Sequence, residues 1–594
     1  MEKLTTDVLV VGGGTGGTVA AIQAARRGVR SILVSEFPWL GGMLTTAGVS
    51  VPDGNELAAF QTGLWGAFLH ELFQRQPQGL DHAWVSFFSY EPRIGAAIFA
   101  EWVRSLPNLH WISGQVPLEV LRQGDRVIGV RFEDLTVHAD ITLDGTELGD
   151  LLSLAEVPHR WGWEWQPEWH EPSAPLEPNE ITQQYAVQAL TWVVMLQKFE
   201  QEAPEIPAPP NYQPDLFAGT WEGYGVEQFL NYGRLPGNRF MLNFPQCGND
   251  YGIGLERLVR SKSDHSAVLQ EAYWHSQGYT RFLQSQLGRR YGLAVDVFPH
   301  QQPLGGGAFA LHPYYRESRR LKGLVTVREQ DILPIAGGQV APLPMNPQGE
   351  VESIALGNYV NDHHYPGYDF PLKPKAIRWG GRWTGTPFTL PYRCLIPEAI
   401  DGLLVCEKNS SISHIANGAT RLQPVVLGLG QAAGMAAALS VERGCQPRDL
   451  PVTEVQTALL CDPIAPSALL PLFNLPSNHP DWRYWQQHYL KHPETYPLDG
   501  VCSPLSPPII IPLSRSHQTF VGTVQVMADQ TYQFSITEPI ALSSQTVQLV
   551  TLHHTIHQQL QICETGQTLS LKGRLNQSGG WLLVEQIEPV SSAN

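Results

Sequence analysis

The amino-acid sequence predicts an α/β protein: a parallel sheet that begins with the first residues, an α+β unit interleaved with it, and a small β domain at the C-terminus. Three observations carry this prediction. The 594 residues are 43% hydrophobic and only 16% charged, too many for one compact core and too apolar to stay disordered. An apolar run from Asp7 to Val11 leads straight into a glycine-rich turn and an alanine-rich stretch. From Thr519 onward, apolar and polar residues alternate in short segments separated by turn residues.

The opening unit reads "DVLVVGGGTGGTVAAIQAARRGVRSILVSE" (7–36). A strand buried on both faces shows a continuous apolar run of this kind. Gly12, Gly14 and Gly17 follow in GxGxxG spacing. The first glycine permits a tight turn, the second lets the backbone approach a pyrophosphate, and the third lets the next helix pack closely on the strand. A helix is predicted from Thr15 to about Arg27, ended by Gly28, and a second strand from Ser31 to Ser35. Glu36 then stands where a carboxylate accepts hydrogen bonds from an adenosine ribose and repels a 2′-phosphate. A lone glycine triplet is weak, but strand, triplet, helix, strand and acid in this order read as dinucleotide binding.

"FPWLGGMLTTAG" (37–48) comes next, where a nicotinamide domain normally continues with another helix. Gly41 and Gly42 suit backbone that passes close to a bulky cofactor. Residues 400–440 predict a strand, a polar loop and a helix beginning near Gly430. The N-terminus of such a helix stabilises the negative charge of a reduced flavin; an ordinary buried helix is the alternative.

With "LDGTELGDLLSLAEVPHRWG" (143–162), "YRESRRLKGLVTVREQDIL" (315–333), "SIALGNYVNDHHYPG" (353–367) and "PYRCLIPEAIDGLLVCEKNSSISHIANGATRLQPVVLGLGQAAGMAAAL" (391–439), these segments resemble the FAD-dependent oxidoreductases of the FAD_oxidored type. That family belongs with two-domain flavoproteins such as fumarate reductase flavoprotein subunits and L-aspartate oxidase. The resemblance implies a Rossmann-like FAD-binding domain (1–60, 95–165 and 390–445) interleaved with an α+β substrate or cap domain (61–94 and 166–389). It implies that Gly12, Gly14 and Gly17 hold the pyrophosphate, Glu36 the ribose, and Gly41, Gly42 and Met43 the ribityl chain and ring. Glu407, Arg421 and Gln423 lie on the later half of the cofactor site, and Gly430, Gln431, Ala432 and Gly434 at a helix end facing the flavin pyrimidine. Some relatives bond a histidine covalently to the flavin; none occurs here between Glu2 and His70, so the expected FAD is non-covalent. The chain departs from the family pattern in two places. Glu407-Lys408 stands where a Gly-Arg pair is frequent, and Asp144-Gly145-Thr146-Glu147 where an Ala-Thr-Gly-Asp run is frequent.

Residues 119–146 read as alternating strands around a Gly-Asp turn. Residues 446–512 are proline-rich with scattered aromatics and read as an ordered linker wrapped on the surface. Residues 513–594 read as a small β-barrel or sandwich, an OB-like barrel among the options. No basic, aromatic-lined stripe marks this domain, which favours a structural or protein-contact role over oligonucleotide binding. A net charge of −17 repels nucleic acid. No signal-like start and no uninterrupted apolar run of about 18 residues occurs, so a cytoplasmic protein without a membrane span is expected. Seven scattered cysteines without CxxC spacing read as reduced thiols, and no metal site is expected.

Flavin chemistry needs a group that exchanges a proton and polar anchors for the substrate. His363 and His364 follow Asp362, and His364 is the first candidate, with two surface histidines on a loop as the alternative. His414, in the polar loop after 400, is the second. Arginine binds carboxylates through paired hydrogen bonds, which makes Arg378, Arg382, Arg393, Arg421 and "RESRR" (316–320) candidate anchors. "RESRR" reads more readily as an internal ion-pair network. Trp161, Trp163 and Trp165 share one face if their segment is a strand, to line an apolar cavity or, by preference, to pack a core. The reading is an FAD-dependent oxidoreductase, dehydrogenase or oxidase, that oxidises a small aromatic or carboxylate-bearing substrate by hydride transfer to flavin N5. Oxygen, a quinone or a carrier protein is the acceptor, since no second strand-GxGxxG-helix unit offers a place for NADPH. The alternatives are a redox-neutral isomerase or cyclase, and a non-catalytic scaffold for a lipid or protein partner.

Overall fold

The computed structural model describes residues 2–300, 303–503 and 518–588. Strand β1 (Glu2–Val11) turns into helix α1 (Thr15–Arg27), and the chain returns as β2 (Ser31–Ser35). Gly28 ends α1 at φ 113°, a conformation open to glycine, and its N–H bonds the Ala25 carbonyl. Strands β3 (Leu109–Ser113), β4 (Glu119–Gln123), β5 (Arg126–Arg131) and β6 (Leu135–Asp144) complete the first half. β3, β2, β1 and β6 lie side by side in parallel, and the late strand Leu403–Val405 joins the far side of β6, also in parallel. β4 and β5 form an antiparallel hairpin whose second strand pairs with the start of β6. Thus β6 pairs with β1 along its length, while its other edge carries the meander at its beginning and the late strand at its end.

The register is the important detail. Asp144, the last residue of β6, sits opposite Val11 of β1 on one side and Val405 of the late strand on the other. Three loops therefore leave the sheet at one point, at the carboxyl ends of parallel strands where α/β sheets bind their ligands.

The late helix runs Gln423–Arg443, with Pro424 in its first turn, where no backbone donor is needed. It begins well before Gly430, which corrects the expectation that Gly430, Gln431, Ala432 and Gly434 form its N-terminus. Glycine inside the helix serves packing instead. A methyl group on Gly430 would run into the Gly16 carbonyl of α1, and one on Gly434 into the Ala20 carbonyl. Gln431 donates to Gln23 Oε1 (3.1 Å) and to the Ala465 carbonyl (2.8 Å) and accepts from the Leu64 N–H (2.9 Å), tying three segments together. Among the described residues this is the one helix long and apolar enough to cross a membrane, and 89% of its apolar window is buried against the rest of the chain.

Residues 446–503 differ from the expected surface wrap. They include helices Val452–Leu460 and Trp482–Lys491 and deliver Val455, Leu459, Leu470 and Phe473 to the same core as β1 and α1. Composition hid these short amphipathic helices behind the prolines that join them. The remainder of that stretch, 504–512, lies outside the described residues. A second core gathers around a sheet of Arg234–Leu235, Arg239–Leu242, Val194–Lys198 and Tyr291–Leu293, covered by the long helix Lys262–Leu287. The last described residues close a barrel of strands Gln518–Val526, Tyr532–Glu538, Thr546–Val550, Trp581–Glu588 and Thr568–Asn576, with its own core. Arg574 and Asn576 dock it on the 79–87 loop by donating to the carbonyls of Asp81 (3.0 Å) and Ala83 (2.9 Å).

Replacing Gly430 by alanine forces α1 and the late helix apart. Overpacking of this kind costs about 1–3 kcal/mol, more than the roughly 1 kcal/mol that alanine returns in helix propensity. Urea unfolding of Gly430→Ala is expected to show lower stability, whereas Gly428→Ala, whose methyl meets only the Ala355 side chain at 3.3 Å, stays near wild type.

Candidate functional site

A cleft of about 400 Å³ opens where the three loops leave the sheet. Gly12 to Gly14, Glu36, Val116, Gly145 to Glu147, His312 and Tyr315 line it. Gly12 holds φ 104°, which an L side chain resists, and a methyl on Gly17 would strike the Gly12 carbonyl. Glu36 stands exposed at the end of β2, on the rim of the cleft. Gly41 (φ 109°) and Gly42 (φ 51°) fold the next turn onto α1, and a methyl on Gly42 would lie 2.5 Å from the Thr15 nitrogen. Met43 is fully buried and donates its N–H to Thr15 Oγ1 (3.1 Å).

At the first turn of α1 the backbone N–H groups have no partner within the helix and form a seat for an anion. The seat holds a carboxylate from the chain itself. Glu407 Oε1 accepts from the Gly16 N–H at 2.6 Å. Lys408 Nζ bonds Glu147 Oε2 at 2.6 Å and reaches Glu407 Oε2 at 3.3 Å, and all three side chains are buried or nearly so. Burial pushes the Glu407 carboxyl up to about 7, with Glu147 acting the same way and Lys408 against both. Although burial opposes it, the Lys408 ammonium holds Glu147 below the usual carboxylate range. The cleft thus fits the adenosine end of a dinucleotide, with Glu36 at its rim. The seat fits a phosphate, for which Glu407 is the stand-in.

A second cavity of about 210 Å³ is lined by Asp53, Tyr314, Arg316, Tyr359, Asp362, His364, Arg421 and Gln423, among others. His364 bridges two carboxylates, Nδ1 to Asp250 at 2.6 Å and Nε2 to Asp362 at 3.0 Å. Arg316 reaches Asp250 at 3.2 Å, and Arg421 reaches Asp362 at 3.1 Å and donates to the Tyr314 hydroxyl at 2.6 Å. Burial and the Arg316 charge act to lower the His364 pKa, yet Asp362 and Asp250 outweigh them and raise it. Burial disfavours charge on Asp250, but Arg316 and His364 hold its carboxyl well below the usual range. Asp362 is held low in the same way by His364 and Arg421. Asp53 goes the other way, raised well above a normal carboxyl by burial and by the neighbouring Glu56 and Asp362. Arg316, Arg421 and His364 thus meet the carboxylates of Asp250 and Asp362 around this cavity. The Nε atoms of both arginines are buried with no partner among the described residues, as is Gln423 Oε1.

The structure separates residues that the sequence placed together. His363 turns away from His364, to the Ile415 carbonyl (3.0 Å) and the Tyr365 hydroxyl (2.9 Å), and burial pushes it down to about 3. His414 lies 2.7 Å from Glu317 and packs on Trp163 with ring centres 4.0 Å apart; it lines neither cavity. Arg382 pairs with Glu56 at 3.5 Å and covers the Phe87 ring, and Arg378 is taken up by the C-terminal barrel, so neither faces a cavity. Arg421 and Gln423, expected beside the cofactor, line the second cavity. "RESRR" splits: Arg319 pairs with Asp150 (3.0 Å) and Arg320 with Glu164 (2.8 Å), while Arg316 faces the cavity. Trp161, Trp163 and Trp165 do not share a strand face, because strand pairing stops at Arg160. Asp53, Asp250 and the Glu147–Lys408 pairing were missed; they meet their partners only through contacts distant in sequence, which carry no spacing signal.

The two adjacent histidines are expected to titrate on opposite sides of the ordinary value of about 6.5, His364 above it and His363 far below, as proton NMR of the ring C–H signals would show. The raised pKa of His364 adds stability that is fully present below about pH 6.5 and fades as pH rises through the folded value. That pH dependence is expected to be missing from His364→Gln in unfolding experiments.

Residues 7–459 match the sequence model of the family described as FAD dependent oxidoreductase. No curated protein matches the chain. Solved structures resemble parts of it. A geranylgeranyl bacteriochlorophyll reductase-like protein from Thermoplasma acidophilum is 10% identical over 77% of this chain and 84% of its own, with a TM-score of 0.30. The flavin-dependent brominase Bmp2 is 11% identical over 34% of this chain and 48% of its own (TM-score 0.24). L-proline dehydrogenase from P. horikoshii is 16% identical over 25% and 23% (TM-score 0.16). This chain thus spans less than half the length of the last two, and superposition this loose carries no argument beside the family match.

Proposed function

The chain belongs to the FAD-dependent oxidoreductase family, whose cofactor is FAD, and from that premise we propose that it oxidises a small carboxylate-bearing substrate held in the second cavity. One observation carries the choice of substrate. Two buried guanidinium groups stand at the cavity, each with an unpartnered Nε. A buried donor without a partner costs about 1–3 kcal/mol, and a carboxylate offers acceptors in the planar geometry that arginine fits.

When bound, FAD supplies the hydride acceptor. Gly12 to Gly17 and Glu36 would hold its adenosine diphosphate end. The protein's own part is anchoring and proton transfer. Arg421 and Arg316 hold the carboxylate, and Tyr314, whose hydroxyl accepts from Arg421, fixes that guanidinium. His364, its pKa raised by the two carboxylates on either side, holds Asp250 and Asp362 in place. The exchangeable proton belongs to Asp53, a cavity carboxyl whose protonated form is favoured by burial and by its acidic neighbours. Electrons then pass to oxygen, a quinone or a carrier protein. Seven free thiols suit a reducing compartment such as the cytoplasm.

An anaerobic screen of flavin bleaching tests this reading. A small carboxylic acid is expected to bleach the bound flavin without prior reduction, and its amide is not; bleaching by both alike would refute carboxylate anchoring. Asp53→Asn is expected to lower kcat by about 10²- to 10⁴-fold with KM little changed. Arg421→Lys should raise KM by about tenfold or more, since a hydrogen bond to a charged group contributes about 1.5–3 kcal/mol.

A further inference from the structure

Glu407, Lys408 and Glu147 form a buried cluster that the proposed reaction does not use. Glu407 is fully buried, and one oxygen is spent on the Gly16 N–H at the start of α1. A methyl group on Gly14 would lie 2.5 Å from that oxygen, and one on Gly42 would lie 2.6 Å from Glu147 Oε1. The two carboxylates therefore press on the glycine turn and on the Gly41-Gly42 turn, the two stretches of backbone that surround the seat. Glu147 Oε1 is buried and has no partner among the described residues. Asp144, at the end of β6, is occupied by the Thr146 N–H and hydroxyl and by the Leu151 N–H. With both carboxylates ionised, two carboxylates and one ammonium leave an excess negative charge beside the position a diphosphate must take.

We propose that Glu407 is a resident occupant of the phosphate seat, so that an incoming dinucleotide must displace it from Gly16. Glu407 thereby sets how tightly phosphate-bearing ligands are held. The inference rests on the reading that the cleft binds FAD, and it makes FAD an exchangeable ligand in place of a permanently held one. Lys408 is the cation the chain offers the arriving phosphates once Glu407 has moved. An adenosine without phosphate does not compete with Glu407 and is indifferent to it.

The test is direct binding of FAD, ADP and adenosine to the flavin-stripped full-length protein, wild type against Glu407→Gln and Glu407→Gly, by calorimetry. Glu407→Gln keeps the shape and an acceptor for the Gly16 N–H while removing the charge, which guards against loss of folding in the glycine variant. Both variants are expected to bind FAD and ADP at least about tenfold more tightly, with adenosine unchanged; tenfold corresponds to about 1.4 kcal/mol. Equal or weaker diphosphate binding in Glu407→Gln overturns the proposal, as does an equal gain for adenosine, which would mean general opening of the cleft. Tight FAD binding by wild type with no gain in either variant refutes this inference alone. No FAD or ADP binding by any of the three proteins refutes it together with the FAD reading.

Discussion

The alignment of three strand ends governs this molecule. With Val11, Asp144 and Val405 in line, the residues just beyond them occupy one small volume at the start of α1. That crowding explains the glycines without appeal to any ligand. A methyl on Gly16 would run into the Cys406 carbonyl, one on Gly145 would sit 2.5 Å from the Gly17 Cα, and one on Gly14 would press on Glu407. The GxGxxG pattern is thus over-determined: close packing of helix, strand and late loop demands it, and a bound diphosphate would demand it again. The pattern alone proves the fold more firmly than the ligand.

The same alignment puts unlike chemistry in contact. The free N–H groups of α1 give the point a partial positive charge, and the two carboxylates that converge on it come from loops far apart in sequence. Lys408 binds both and keeps them there. An anion at the helix start is favourable whether it arrives on a ligand or on a side chain, so binding in this cleft exchanges one anion for another. The second cavity has the opposite character, because it offers two buried guanidinium groups, each with an unpartnered Nε.

What the sequence disclosed and what it hid follow from the range of the interactions. The first strand, α1, the second strand and the β4–β5 hairpin are local units whose periodicity and turn residues lie within one short window; the bounds of α1 and the second strand were legible, while the first strand starts at Glu2, before its apolar run. The string Arg316–Asp250–His364–Asp362–Arg421 was not, since its members come from four separate segments. "DHH" was visible as a motif, yet neighbouring side chains of an irregular loop point apart, so only one of its histidines reaches the cavity. "RESRR" misled for the same reason, with two arginines for structure and one for the site. The late helix began earlier than its glycines suggested because those glycines mark a close crossing with α1, a tertiary fact with no local signature.

The segment from His312 to Arg316 separates the two cavities and faces both. His312 and Tyr315 line the cleft, while Tyr314 and Arg316 line the second cavity. His312 is held neutral by burial despite the nearby Glu147, so the wall carries little charge on the cleft side. On the other side Arg316 is fixed by Asp250, the Ala189 carbonyl and Thr191. A wall one segment thick with a neutral face and a cationic face holds a field across it, and a low-dielectric interior does not screen that field as water would. An anion taken up in the second cavity cancels part of it, and a phosphate that replaces Glu407 restores negative charge on the cleft side. The two sites thus share a wall of five residues, His312 to Arg316, whose charged member is already paired with Asp250.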